Sequence, residues 1–262
     1  STNDLLDLLP DADRERALQS LLDLRLGYSE ARGSLALRTA LAETYENTSP
    51  DNILVTTGAI EANFLLLNTL LDSGDHVVVI DPAYQQLQSV PRAIGCDVSL
   101  WRPRQDPHFH FELDDLRELV TDRTRLIVIN TPHNPTGAIL SEAELRAVYA
   151  IAESIGATVL CDEAYRWLDV PGSEPLAPPI RNLGDRGVSV GTVSKPFGIP
   201  GLRIGWIAAP EDLIQQCWAM RDFISLSPGG LNDALALIAV THRDQIAART
   251  RSIVEQNLDV AE

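Results

Sequence analysis

Seven short runs rich in apolar residues alternate with helical patterns along most of the chain. The runs predict strands at 53–56, 76–80, 97–101, 125–130, 158–161, 188–193 and 204–209. Most of the intervals between them have helical periodicity, and three further helices are predicted at about 211–222, 231–241 and 243–260. This alternation predicts the α/β class, with a mostly parallel central sheet covered by helices on both faces in a three-layer α/β/α arrangement.

The first part of the chain lacks this pattern. Residues 1–33 carry no strong strand signal, and one helix is predicted at 13–26. We interpret this stretch as an N-terminal segment that leads into one large domain over 34–262, a length that suits a single α/β domain. Within that domain, residues 171–179 are predicted to form a Pro-rich loop.

The charge balance is acidic, with 37 Asp and Glu against 21 Lys and Arg and a formal net charge of −16. Without a run of basic residues, this argues against nucleic acid or an anionic membrane as a partner. No apolar run has the length of a membrane span, and the acidic N-terminus is unlike a signal peptide. Cys96, Cys161 and Cys217 lack paired spacing, which indicates reduced core thiols in a cytoplasmic protein, and we predict no metal site.

Distinctive loops follow the ends of five predicted strands. They carry Gly58, Tyr84, Asn134, Asp162 and Lys195. Ligands of mostly parallel sheets bind beyond the carboxyl ends of the strands. We therefore expect these residues to gather at one edge of the sheet, although they span some 140 positions.

Lys195 is the only lysine in the chain, and the other 20 basic residues counted with it are arginine. Arginine serves as well for surface charge or phosphate binding, but it never loses its proton. Lysine can act as a neutral primary amine and form a Schiff base with a carbonyl. Because this lysine ends a buried strand in a tight turn, we interpret it as a functional amine rather than a remnant of an arginine-biased composition.

The other strand-end loops offer polar groups that also have structural interpretations. Asp162 ends a buried strand, where its carboxylate needs either a protonated ring nitrogen or a helix cap or salt bridge. Tyr165 and Tyr84 offer a hydroxyl and a ring face to a ligand, or they fill the core. Asn134 lies between two prolines in a loop that can orient its amide. We interpret His133 beside it as loop structure.

A strand-to-helix turn at Gly58, Ala59 and Ile60 exposes backbone N–H groups that can bind an anion. It matches neither GxGxxG nor GxxxxGK[ST], so dinucleotide or ATP binding has little support. Groups of the kind that bind phosphate flank the lysine: Thr192, Ser194 and Arg203. An amine, an acid for a ring nitrogen, an amide, an aromatic ring and phosphate donors together predict a site for pyridoxal phosphate.

Five motifs follow one another along nearly the whole chain: TTGAIEAN, DPAY, NTPHNPTG, CDEAY and SKPFGIPGLRIGW. In order and spacing they resemble those of the fold type I, class I/II aminotransferase family. The resemblance implies the large domain of the PLP-transferase fold type I, pyridoxal 5'-phosphate as cofactor, and amino acids and 2-oxo acids as substrates.

The resemblance also implies roles for single residues. Lys195 would form the Schiff base with the cofactor and later move the proton between the substrate Cα and the cofactor's C4′. Asp162 would pair with the pyridine nitrogen, Asn134 and Tyr165 would hydrogen-bond the phenolic oxygen, and Tyr84 would stack on the ring.

Two further implications concern the phosphate. The residues similar in position to the family's phosphate-binding set are Gly58, Ala59, Thr192, Ser194 and Arg203. Tyr28 resembles the family tyrosine that reaches the phosphate of the neighbouring subunit, which implies a homodimer with shared active sites.

One departure concerns the substrate. The family carries an arginine for the substrate α-carboxylate in a C-terminal small domain, and this sequence has no match for it. We therefore expect that the small domain is missing from this chain or that the chain is a fragment.

Three functions remain open at this stage. The leading hypothesis is an aminotransferase that moves an amino group from an amino acid to a 2-oxo acid. The alternative is a lyase or cyclase acting on a modified arginine, because TTGAIEANFLLL, DPAYQQL and VSLW resemble capreomycidine-synthase-like enzymes. A pyridoxal-domain regulatory module is a remote alternative, because it requires a basic helix-turn-helix segment and residues 1–33 are acidic and short.

Overall fold

The computed structural model describes residues 1–104, 109–168 and 176–261. The strands in these ranges are β1 (Ile53–Thr56), β2 (His76–Ile80), β3 (Asp97–Trp101), β4 (Thr124–Asn130), β5 (Thr158–Asp162), β6 (Gly187–Thr192) and β7 (Gly205–Ala208). The helices are α1 (Thr2–Leu6), α2 (Asp11–Leu22), α3 (Leu35–Ala42), α4 (Ala59–Leu70), α5 (Gln86–Ile94), α6 (Leu113–Leu119), α7 (Glu142–Ile155), α8 (Glu211–Arg221), α9 (Gly230–Thr241) and α10 (Arg243–Ala261). The predicted Pro-rich loop at 171–179 lies partly outside the described residues.

The strands form one sheet in the order β1-β7-β6-β5-β4-β2-β3. From β3 to β6 all neighbours pair in parallel, whereas β7 runs antiparallel to both β6 and β1. The predicted mostly parallel sheet is confirmed. Because only β7 is reversed in this sheet, its first residue, Gly205, pairs with the last residues of β1 and β6 and lies at the same edge as the carboxyl ends of the other strands.

Alternate residues of the buried strands enter cores on opposite faces of the sheet. In β2, Val77 and Val79 pack with α4 and α8, whereas Val78 and Ile80 pack with α6 and α7. At the other end of the sheet, Val55 of β1 packs with α3 and α9. Helices therefore cover both faces, which confirms the predicted three-layer α/β/α fold.

The predicted helix at 13–26 is wrong at its end. The observed α2 ends at Leu22, and the N–H of Asp23 caps it on the carbonyl of Gln19. No residue of α2 is buried, and Leu22 is 72% exposed. Apolar spacing did not locate the boundary because only Leu21 of the apolar set packs against the core, whereas Leu18, Leu22 and Leu26 are exposed.

The cysteines are free thiols in the described structure. Cys161 in β5 and Cys217 in α8 are buried, as predicted for core thiols. Cys96 is buried only in part: it packs against the edge of the core, but it lies in the turn between α5 and β3, directly after the left-handed Gly95. None of the helices in the described ranges has the length and apolarity needed to cross a membrane.

Candidate active site

The carboxyl-end edge of the sheet opens into a cavity of about 360 Å³, inside the ~300–1,000 Å³ typical of small-molecule sites. Ten of the twelve residues singled out from the sequence line it: Ala59, Ile60, Tyr84, Asn134, Asp162, Tyr165, Thr192, Ser194, Lys195 and Arg203. The other two, Gly58 and Tyr28, do not. The topology thus brings together side chains from separate strand ends.

The Asp162 carboxylate lies buried at the end of β5. Its Oδ2 accepts a hydrogen bond of 2.8 Å from Asn63 Nδ2, and its Oδ1 accepts one of 3.0 Å from the N–H of Ala164. Burial raises the pKa of the Asp162 carboxyl, and the hydrogen bond from Asn63 opposes that rise. No salt bridge in the described residues reaches this carboxylate, so it is available to a cationic group of a ligand.

Two asparagines that the sequence analysis missed support this acid. Asn63 projects from α4, and its Oδ1 is buried without a hydrogen-bond partner in the described structure. Asn130 ends β4, donates 2.7 Å to the carbonyl of Asp162, and accepts 2.7 Å from the N–H of Asn134. Asn63 did leave a signal, because it is a polar residue directly before the apolar run Phe64–Leu67 of a mostly hydrophobic helix.

The loop that carries Asn134 is held by His133. The imidazole Nε2 lies 2.6 Å from the carbonyl oxygen of Pro82, and Nδ1 lies 2.6 Å from Thr136 Oγ1. Burial lowers the pKa of His133. These contacts agree with its interpretation as loop structure, and they tie the loop after β4 to the loop that carries Tyr84.

The start of α4 forms with Arg203 an anion pocket, named here for the positive groups that line it. Helix geometry leaves the N–H groups of Ala59 and Ile60 without a partner inside the helix. Gly58, with φ of 84°, lies so close to the guanidinium of Arg203 that a Cβ there would stand 2.5 Å from Nη2. No salt bridge in the described residues engages Arg203, so its charge is free for an anion.

Hydroxyl groups at the end of β6 complete this pocket. Thr192 Oγ1 lies 3.0 Å from Ser194 Oγ and 2.8 Å from the carbonyl oxygen of Ile204. In the sheet, Thr192 of β6 pairs with Gly205 of β7, and Gly205 pairs with Thr56 of β1. Since α4 begins just after β1, this pairing brings the hydroxyl groups of Thr192 and Ser194 to the start of α4. Together they suit a phosphate.

Gly205→Ala is expected to disturb this pocket. A Cβ there would stand 2.5 Å from Ala59 N and 2.5 Å from Gly58 C, both backbone atoms. Overpacking of this kind costs ~1–3 kcal/mol and displaces the first turn of α4. Thermal denaturation with and without pyridoxal phosphate should show a lower midpoint and less stabilisation by ligand. Gly201→Ala, whose Cβ meets nothing within 4 Å, is the control. Equal thermal midpoints for Gly205→Ala and Gly201→Ala would contradict the close packing of Gly205 against the start of α4.

Lys195 reaches the cavity from a turn anchored below it. Phe197 is buried, and its ring stacks on Trp167 with a centroid separation of 5.5 Å. The lysine side chain itself is exposed and lines the cavity. Within the described ranges no hydrogen bond or ion pair engages its amine, which leaves the nitrogen free to react.

The three tyrosines singled out from the sequence have different positions. Tyr165 is partly buried beside Asp162, and burial raises the pKa of its hydroxyl. Tyr84 is 47% exposed at the rim of the cavity. Tyr28 is 88% exposed and does not line the cavity of its own chain. Its role toward a neighbouring subunit stays a prediction.

These groups fit pyridoxal 5'-phosphate. A free amine suits its aldehyde, a buried carboxylate without a cationic partner suits a protonated ring nitrogen, and the start of α4 with Arg203 suits its phosphate. The described residues contain no cluster of three or more His, Cys, Asp or Glu that could hold a metal ion.

The fold is that of pyridoxal-phosphate-dependent enzymes of fold type I, and the cavity fits their cofactor. The chain belongs to the family of class I and II aminotransferases, whose sequence model matches residues 1–258.

Among curated proteins, the chain is 39% identical to capreomycidine synthase of Streptomyces vinaceus, over 82% of this chain and 54% of that protein. It is 33% identical to a probable N-succinyldiaminopimelate aminotransferase of Mycobacterium tuberculosis, over 93% of this chain and 65% of that protein. The chain therefore spans between about half and two thirds of the length of these relatives.

Solved structures similar to this chain also include both an aminotransferase and a cyclase. A PLP-dependent aminotransferase from Streptococcus suis matches with a TM-score of 0.92 and 34% identity, over 100% of this chain and 68% of that one. The PLP-dependent cyclase OrfR matches with a TM-score of 0.86 and 36% identity, over 99% of this chain and 65% of that one. The fold and the cofactor are common to relatives that catalyse different reactions.

Proposed function

We propose that this chain, mainly through residues 34–262, binds the cofactor in an aminotransferase that moves an amino group from an amino acid to a 2-oxo acid. The observation that carries the proposal is the convergence of a free lysine amine, a buried carboxylate without a cationic partner, and an anion pocket in one cavity. The α-carboxylate arginine of the family has no match in this sequence, so the substrate's carboxylate requires a further group.

Each residue has a distinct task in this proposal. Lys195 provides the amine that holds the aldehyde carbon and then moves a proton at the substrate Cα. Asp162 keeps the ring nitrogen protonated, since a buried carboxylate favours a cationic partner. Bound pyridoxal phosphate supplies the electron sink for the negative charge that develops at Cα.

The remaining groups bind and orient the cofactor. Arg203 and the first N–H groups of α4 neutralise the phosphate charge, with the hydroxyls of Thr192 and Ser194. Tyr84 at the rim would cover the cofactor's ring, and Asn134 and Tyr165 would orient the ring through its phenolic oxygen.

We also propose that the protein acts as a homodimer. Exposed apolar side chains support this: Leu26 is 86% exposed, Tyr28 88% and Phe223 90%. Isolated exposed apolar residues are ordinary on a monomer, but several large ones suit a surface covered by another subunit. In that assembly Tyr28 would act on the phosphate of the second subunit.

A lyase or cyclase acting on a modified arginine is the second candidate. Two relatives favour it: capreomycidine synthase, at 39% identity, and the cyclase OrfR, at 36%. The amine, the acid and the anion pocket serve both reactions, because both begin with removal of the Cα proton.

An isotope experiment distinguishes the two reactions. The protein is supplied with pyridoxal phosphate and a panel of ¹⁵N-labelled amino acids that includes arginine and hydroxyarginine, with a 2-oxo acid as acceptor. An aminotransferase moves the α-¹⁵N label to the acceptor, as mass spectrometry would show. A cyclase leaves the label in an altered amino acid and none in the acceptor, which would contradict the leading proposal.

A further inference from the structure

A buried carboxylate lies unexpectedly close to the anion pocket. Glu61 belongs to the first turn of α4, the turn whose free N–H groups face the cavity. Its carboxylate accepts hydrogen bonds from the N–H of Thr57 and from the hydroxyl of Ser225. A negative charge at this position repels a phosphate unless a cation compensates it.

Arg221 at the end of α8 provides that cation. Its side chain is fully buried, and its Nε lies 3.8 Å from Glu61 Oε1 and donates 3.0 Å to Ser225 Oγ. Its Nη1 donates to the carbonyls of Ala31 and Val55, at 2.7 Å and 2.5 Å. Burial lowers the pKa of Arg221, and the charge of Glu61 opposes this. The charges of Glu61 and Arg221 therefore neutralise each other behind the anion pocket.

The pair also fixes the backbone of the turn. Glu61 holds the N–H of Thr57, while Arg203 Nη2 lies 3.4 Å from the carbonyl oxygen of the same residue. Arg221 holds the carbonyl of Val55, two residues earlier, at the end of β1. The backbone of Thr57 is thus restrained at both its N–H and its carbonyl oxygen, directly before the groups proposed to bind the anion.

We propose that Glu61 and Arg221 are positioning residues for the cofactor's phosphate, an inference that rests on the proposed binding of pyridoxal phosphate. Neither residue lines the cavity. They act through the backbone from Val55 to Thr57, which leads directly into the turn and so aligns the N–H groups of α4 and the guanidinium of Arg203 toward one point. Preorganised donors of this kind bind an anion without reorganisation.

The test compares pyridoxal phosphate with pyridoxal, which lacks the phosphate. In Glu61→Gln the turn loses its anionic acceptor and Arg221 loses its compensating charge. We expect the preference for pyridoxal phosphate over pyridoxal to fall at least about tenfold, because the Thr57 N–H loses a hydrogen bond to a charged acceptor, which is worth that much, and the turn is no longer fixed. The uncompensated charge of Arg221 alone would raise the preference, so a higher preference in this variant would overturn the positioning role. Equilibrium titration of the unloaded protein measures both affinities.

Two variants serve as comparisons. Ser225→Ala removes only the bridging hydroxyl, so it should shift the preference in the same direction by less. Glu142→Gln makes the same chemical change in the first turn of α7, at an exposed pair with Arg146, and should shift nothing.

The outcomes separate the two proposals. An unchanged preference in Glu61→Gln, including an equal loss of both affinities, overturns the positioning role alone. If the unaltered chain fails to bind pyridoxal phosphate, the proposed function fails as well.

Discussion

Lys195→Ala is expected to abolish covalent capture of pyridoxal phosphate and to slow amino-group transfer at least about 10²–10⁴-fold. Lys195 is the only lysine of the chain, so no other side chain can supply a primary amine. The Lys195→Ala cavity keeps its acid and its anion pocket, and the cofactor should still bind without a covalent bond. The visible absorbance of the lysine-linked cofactor and the rate of amino-group transfer measure the two effects.

Lys195→Arg is the matched control for charge. Arginine keeps the positive charge at the end of β6 but never becomes a neutral amine. The Lys195→Arg variant should therefore fail to bind pyridoxal phosphate covalently, as Lys195→Ala does. Capture by either variant at the level of the unaltered chain would remove Lys195 from the mechanism.

The second large effect is expected at Asp162. Loss of its charge in Asp162→Ala or Asp162→Asn should lower the rate of amino-group transfer about 10²–10³-fold, the usual cost of removing one preorganised electrostatic partner. Asp162→Glu keeps the charge and should lose far less. The neutral variants lose the carboxylate that holds the ring nitrogen protonated, so the pKa of that nitrogen falls.

The pH dependence of these variants identifies the cause. Without the carboxylate, the nitrogen is protonated only at low pH, so the activity of Asp162→Asn should rise as the pH falls. The unaltered chain should show no such rise over the same range. Equal activity in all four forms would exclude Asp162 from the reaction.

The sheet and its functional edge were predictable from the sequence for a physical reason. Buried parallel strands are continuous apolar runs, such as the run that ends at Asp162, and their ends are marked by polar or turn residues. The reversed direction of β7 was not predictable. Its short connection from β6 contains Pro200 and Gly201, which indicate a turn but not which way the next strand runs.

The supporting residues were hidden because they depend on packing between distant parts of the chain. Glu61 and Arg221 lie 160 positions apart and meet only where α8 packs on α4. Asn63 is a buried polar residue in a mostly apolar helix, and only the folded structure shows that it contacts Asp162. Hydrophobic periodicity locates helices but not the polar contacts between them.

The most direct test of the central claim is borohydride reduction of the protein loaded with pyridoxal phosphate, followed by peptide mass spectrometry. Reduction makes the link between amine and cofactor permanent. We predict one cofactor per chain, attached to the peptide that contains Lys195. A label at the terminal amine, or no label at all, would contradict the assignment of this cavity as a pyridoxal phosphate site.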